Sequence, residues 1–197
     1  MDYKKQIDKC FDKYKEVYER DPESLKRKDR YPFADLILKK EFKKKNITLD
    51  QIYKKVVLLN SLYSTNIFAT FNVSLKIYKI QNFINRVKQG DISLINEIRR
   101  HRISGQKKNF YSFATKYCHH HNPGAFPIYD SLVVKALLFF LNKEETKEYV
   151  WKKMKEYKYF KASMDDLAEL WKLPKSYKYE KLDKFLWEYG KKLNGKK

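Results

Sequence analysis

Three side chains in one stretch of the chain, His101 to Asp130 (HRISGQKKNFYSFATKYCHHHNPGAFPIYD), could do chemistry together: the amines of Lys107 and Lys108 and the carboxylate of Asp130. An amine and a fixed carboxylate suit attack on a sugar carbon in nucleic acid. Breaking an N-glycosidic bond builds positive charge on the sugar, which a nearby carboxylate stabilises. The same carboxylate can deprotonate the attacking nucleophile. A lysine held near helix N-termini and other cations keeps a usable fraction of free amine. Each residue also has a plainer role: Asp130 suits an N-cap, and Lys107 and Lys108 suit solvated or phosphate-contacting cations.

The elements that must position these groups read as helices. Apolar residues recur at helical spacing over roughly 2–20, 33–45, 48–62, 66–88, 91–100, 106–119, 130–141, 144–157, 163–171 and 177–193. Thr48 and Gln51 form a capping-box pair at the start of the third. Its stripe Ile52, Val56, Leu59 and Tyr63 faces a core. Gly105 reads as a tight turn, with a helix opening on Gln106 and holding a phosphate at its N-terminus. Asp130 opens the next helix. With only five Gly and five Pro and no convincing strand, the expectation is an all-α single domain over 1–197. It is a compact two-lobed helical bundle with a hairpin element at about 91–119 followed by the Asp130 helix.

The chain has 197 residues, with 44 Lys and Arg against 24 Asp and Glu, a formal charge of +20. That excess favours a polyanionic partner, of which nucleic acid is the commonest. A lysine-rich proteome would inflate the same figure. The apolar share of 43% excludes a disordered chain. Cys10 and Cys118 form no CxxC, which excludes a four-cysteine zinc site or iron–sulfur cluster and suggests a reduced compartment. No signal peptide is visible, and the longest apolar run is too short for a bilayer. The expectation is a soluble, cytoplasmic monomer with no membrane partner.

Three segments resemble the helix–hairpin–helix DNA glycosylase superfamily. Phe126 to Leu137, FPIYDSLVVKAL, is similar to the text F-P-I-x-D-x-x-V-x-R-x-L around that superfamily's catalytic aspartate. Val57 to Thr65 occupies the place of the helix end that faces the minor groove, and Leu182 to Lys191 is similar to a D-x-x-L-W-x-x-G tail. Arg102 to Lys108 keeps one of the two glycines usual in the family's hairpin. The resemblance implies base excision of a damaged, mispaired or modified base, with Asp130 catalytic. Counting Gly105 as the second hairpin glycine puts Lys107 at the Schiff-base lysine, so an associated lyase activity is implied, with Lys108 a rival. DNA contacts fall to Gly105, Gln106 and Lys108, and Asn60, Ser61 or Tyr63 could fill the stack vacated by an extruded nucleotide. The partner is duplex DNA and no cofactor is called for.

Cys118-His119-His120-His121 invites a zinc reading, but successive residues on one helix point about 100° apart and cannot share one ion. No metal is expected. One histidine suits the core, and His119, His121 and Tyr129 are pocket candidates. The alternatives are a non-catalytic DNA-binding module on the same scaffold and a basic helical nuclease or toxin acting on RNA. No arginine stands at ribonuclease spacing before a histidine, and no phosphate-binding glycine loop is present.

Overall fold

The computed structural model describes residues 2–44, 47–142 and 148–195. The helices expected to end at 45 and to start at 144 have those boundaries outside the described residues. Helix dominates, as the scarcity of Gly and Pro requires. Contacts divide the chain into two compact units, one formed by Met1–Asp12 with Pro123–Lys197 and the other by Lys13–Asn122. We call them the terminal and the inserted unit.

The inserted unit takes most of α1 (Tyr3–Glu19), then α2 (Arg30–Phe42), α3 (Leu49–Tyr63), α4 (Thr70–Tyr78), α5 (Phe83–Gln89), α6 (Ser93–Arg99), strands β1 (Arg100–Ile103) and β2 (Gln106–Asn109), and α7 (Tyr111–His121). The capping box at α3 forms: Gln51 Oε1 accepts the Thr48 N–H at 3.3 Å. The α3 stripe of Ile52, Val56 and Leu59 is buried. Helix α7 is central, with Tyr111 and every residue from Phe113 to His119 buried. Such a helix has no solvent face, so its sequence lacks a clear polar side.

The structure departs from two expectations. The helix anticipated over 66–88 is split into α4 and α5, because Asn82 takes the left-handed conformation (φ 54°) at the start of α5. The helix anticipated from Gln106 does not exist: residues 106–109 are a β-strand, and α7 begins at Tyr111. Ser104 and Gly105 both have positive φ, 48° and 78°. A two-residue turn of that hand matches the twist of paired strands and closes a β-hairpin. The glycine is used for its dihedral, since no atom lies within 4 Å of where its Cβ would be.

The terminal unit holds the start of α1 with α8 (Ser131–Phe140), α9 (Glu148–Met154), α10 (Tyr157–Leu170) and α11 (Lys178–Leu193). Helix α10 starts six residues before the expected 163. The apolar α8 lies against Leu182, Phe185 and Leu186 of α11, all buried. Gly190 sets how closely they approach, because a Cβ there would fall 2.2 Å from the Leu132 carbonyl oxygen. Among the described residues, no helix is long and apolar enough to cross a membrane.

Candidate nucleic-acid interface

The hairpin carries four exposed cations, Arg100, Arg102, Lys107 and Lys108, within nine residues. Its register pairs Arg100 with Asn109, His101 with Lys108, Arg102 with Lys107, and Ile103 with Gln106. Side chains alternate across a strand, so Arg100, Arg102 and Lys107 share one face. Arg100, Arg102 and all of β2 are exposed. Among the described residues, Arg100, Arg102, Lys107 and Lys108 take part in no ion pair. Like charges directly opposed, as Arg102 and Lys107 are, destabilise a ribbon, and a polyanion relieves that repulsion.

The base of the ribbon is fixed by side-chain and backbone contacts. Phe110 donates its N–H to Arg99 O at 2.7 Å, and Arg99 Nε donates to Asn109 Oδ1 at 3.0 Å. The Arg99 guanidinium lies 4.4 Å from the Tyr111 ring centre. Lys76 of α4 donates to the Arg100 carbonyl. His101 sits at 2.7 Å from Ile98 O, and burial holds its pKa below the ordinary histidine value. A two-stranded ribbon is one of the shapes that a DNA groove of about 12 Å admits.

Of the residues expected at a vacated stack, Asn60 turns its side chain to the loop that follows α3. Its Nδ2 donates to Ile67 O at 2.9 Å, and its Oδ1 accepts the Thr65 hydroxyl at 2.8 Å and the Ile67 N–H at 2.9 Å. Ser61 is exposed and lines a cavity of about 680 Å³ with Tyr53, Val57 and Leu58. Tyr63 is half-buried, its ring 5.8 Å from His120 and 5.3 Å from the Lys116 ammonium.

His119 is buried. His121 is wedged among Phe42, Tyr117 and Phe83, at 4.9, 5.1 and 5.4 Å. Its Nε2 is covered and makes no hydrogen bond. Burial, with the nearby Lys55 cation, pushes its pKa down to about 3. Lys55 itself is wholly buried and donates to the Lys44 carbonyl at 2.8 Å. Burial pushes its pKa down to about 8, against the pull of Glu41. Lys116, also buried, donates to Ser112 Oγ at 2.6 Å. Sequence reasoning missed both lysines. The signal was present for Lys55, which falls on the stripe Ile52, Val56, Leu59. Neither the 680 Å³ cavity nor one of about 280 Å³ between Ile52, Ile77 and Phe83 is lined by a histidine. No group of three or more His, Cys, Asp or Glu is gathered for a metal among the described residues.

Asp130 and Tyr129 belong to the terminal unit, whereas Lys107 and Lys108 belong to the inserted one. The approach to Asp130 is anchored: Phe126 and Ile128 are buried, Tyr157 donates to Pro127 O at 3.1 Å, and Tyr129 packs edge-on to Phe160 at 5.5 Å. Asp130 is half-buried and caps α8, its Oδ1 accepting the Leu132 N–H at 3.0 Å.

A family model, HI_0787_N, described as an N-terminal domain, matches residues 6–125. An uncharacterized protein of Haemophilus influenzae is 39% identical over 145 residues, covering 74% of this chain and 69% of its own. No solved structure matches. The family match contains the whole inserted unit, hairpin included, and stops five residues before Asp130.

Proposed function

We propose that this chain, which belongs to the HI_0787_N family, acts on DNA in the manner of a glycosylase, binding through its basic hairpin and releasing a damaged, mispaired or modified base. The observation that carries the binding reading is the set of exposed cations on the ribbon, Arg100, Arg102, Lys107 and Lys108, with no acidic partner among the described residues. Phosphate contacts of this kind fix a protein on a duplex without reading sequence.

Asp130 takes the chemical role. It follows the inserted unit by eight residues (130 − 122) and stands at the first turn of α8 on a rigidly packed approach. In the proposed step Asp130 accepts a proton from water, the water oxygen bonds to the sugar carbon, and the bond from that carbon to the base nitrogen breaks. The base leaves with the bonding pair and takes up a proton. The helix start expected to activate Lys107 lies instead at Tyr111, so the lysines are assigned to phosphates and the attack to water.

Duplexes bearing single lesions, treated with and without borohydride, test this. Free base with no trapped adduct is expected, and Asp130→Asn should abolish release while leaving affinity within about threefold. A trapped adduct would overturn the water step in favour of Lys107 or Lys108. One observation favours a second reading, a binding module without catalysis: the family match holds the hairpin but not Asp130. Salt-sensitive binding with no release from any duplex would select it. On either reading Lys107→Ala with Lys108→Ala should reduce the slope of log affinity against log salt by about 2.

A further inference from the structure

The loop between α3 and α4 exposes one aromatic ring almost completely: Phe68, at 99%. Single exposed apolar residues are ordinary, but this one stands on a fixed mount. Ser64 and Asn66 take left-handed conformations, φ 50° and 56°. The Asn60 side chain holds the Thr65 hydroxyl and both backbone groups of Ile67, and the Asn60 backbone carbonyl accepts the Thr65 N–H at 3.2 Å. Ile67 is 2% exposed. An anchor so deep at position 67 turns the next side chain outward. Beyond it, Ala69 O accepts the Val73 N–H at 3.2 Å, opening α4. The backbone on both sides of Phe68 is therefore set before any partner arrives, which removes most of the ordering cost of binding.

The surroundings say what the ring meets. Phe71 and Tyr53 are also exposed, 53% and 39%, and pack edge-on at 6.1 Å. The other end of α4 is tied to the basic hairpin through Lys76 and the Arg100 carbonyl. From Thr70 to Lys76 the helix rises about 9 Å, close to three base steps of about 3.4 Å. An aromatic wedge and a cationic ribbon at two ends of one short helix match a stacked polyanion. An apolar surface on a second copy would place +20 against +20.

We infer that Phe68 is a wedge that enters the base stack of DNA held by the hairpin. The inference rests on the DNA-binding reading above and puts Phe68 in place of Asn60, Ser61 and Tyr63 as the stacking residue, Asn60 being the mount. Apolar side chains inserted between base steps unstack and bend a duplex, and an aromatic ring stacks on any base face.

The test uses the full chain and a duplex carrying 2-aminopurine, whose fluorescence rises on unstacking. The wild-type chain should raise it several-fold, Phe68→Ala should abolish the rise and weaken affinity roughly 5- to 150-fold, and Phe68→Trp should restore both. The salt slope should stay unchanged in Phe68→Ala, and circular dichroism should match the wild type. Equal fluorescence and affinity in wild type and Phe68→Ala would overturn the wedge while leaving the hairpin reading intact. No binding by the wild-type chain would overturn both. A Phe68→Ala change in mass by light scattering, with DNA binding unaltered, would assign the ring to contact between copies and overturn the inference.

Discussion

Gly190→Ala offers a sharp check, because two effects at that position have opposite signs. In an unobstructed helix interior, alanine stabilises over glycine by about 1 kcal/mol. Here the new Cβ would lie 2.2 Å from Leu132 O, 2.7 Å from its carbonyl carbon and 3.0 Å from its Cα. An ordinary carbon–oxygen contact is longer by about 1 Å. The obstruction is backbone, so no side-chain rotation relieves it; α8 and α11 must separate. Overpacking of this kind costs about 1–3 kcal/mol, occasionally more. Separating two main chains belongs at the upper end, so the net loss after the propensity gain is about 2 kcal/mol. Urea denaturation followed by circular dichroism reads this as a lower midpoint with an unchanged slope. The displaced atoms belong to the residue whose N–H caps onto Asp130, so base release should fall more than the folded fraction does. A variant as stable as the wild type, or more stable, would refute the close approach of α8 and α11 and the positioning of Asp130 drawn from it.

Two further outcomes are expected. Asp130→Ala should lower stability by about 1 kcal/mol through loss of the N-cap, whereas Asp130→Asn keeps the cap and should leave the urea midpoint in place while base release disappears; equal loss of stability in both would contradict the cap geometry. His121 has its folded pKa depressed from 6.5 to about 3, so between those values the unfolded chain binds a proton that the folded chain does not. Stability is therefore present above pH 6.5 and lost as pH falls toward 3, by on the order of 4–5 kcal/mol. His121→Phe should flatten that part of the profile in denaturation at stepped pH, and an unchanged acid limb would place the sensitivity elsewhere.

Much of the helical framework was legible because helix starts and stops are written locally. The Thr48–Gln51 pair opens α3 as its chemistry requires, Gly90 ends α5 at φ 74°, and Asp130 caps α8. What failed lay where local and tertiary signals compete. Residues 66–88 keep a helical rhythm through Lys79–Asn82, and only the left-handed Asn82 breaks it; asparagine tolerates that conformation without announcing it. Gln106-Lys107-Lys108 are good helix formers, so their local signal after the turn is helical. Ser-Gly with positive φ at both positions instead committed the chain to antiparallel pairing, which His101, Ile103 and the Arg99–Asn109 bond then support.

The candidate site was legible in its residue types and not in its grouping. Lys107, Lys108 and Gly105 do sit on one exposed element, but the strand geometry spreads them along a ribbon and presents Arg100 and Arg102 beside them. Period two and period 3.6 put different neighbours on a face, so a wrong element type hid both arginines. Phe68 was hidden for another reason. Its exposure follows from Asn60 directing its side-chain hydrogen bonds to Thr65 and Ile67 in the loop that carries it, a commitment that no hydropathy spacing rule records. The Asn60 amide therefore fixes the loop that carries Phe68. Loosening it should blunt the ring at position 68 and leave the cations of the ribbon untouched.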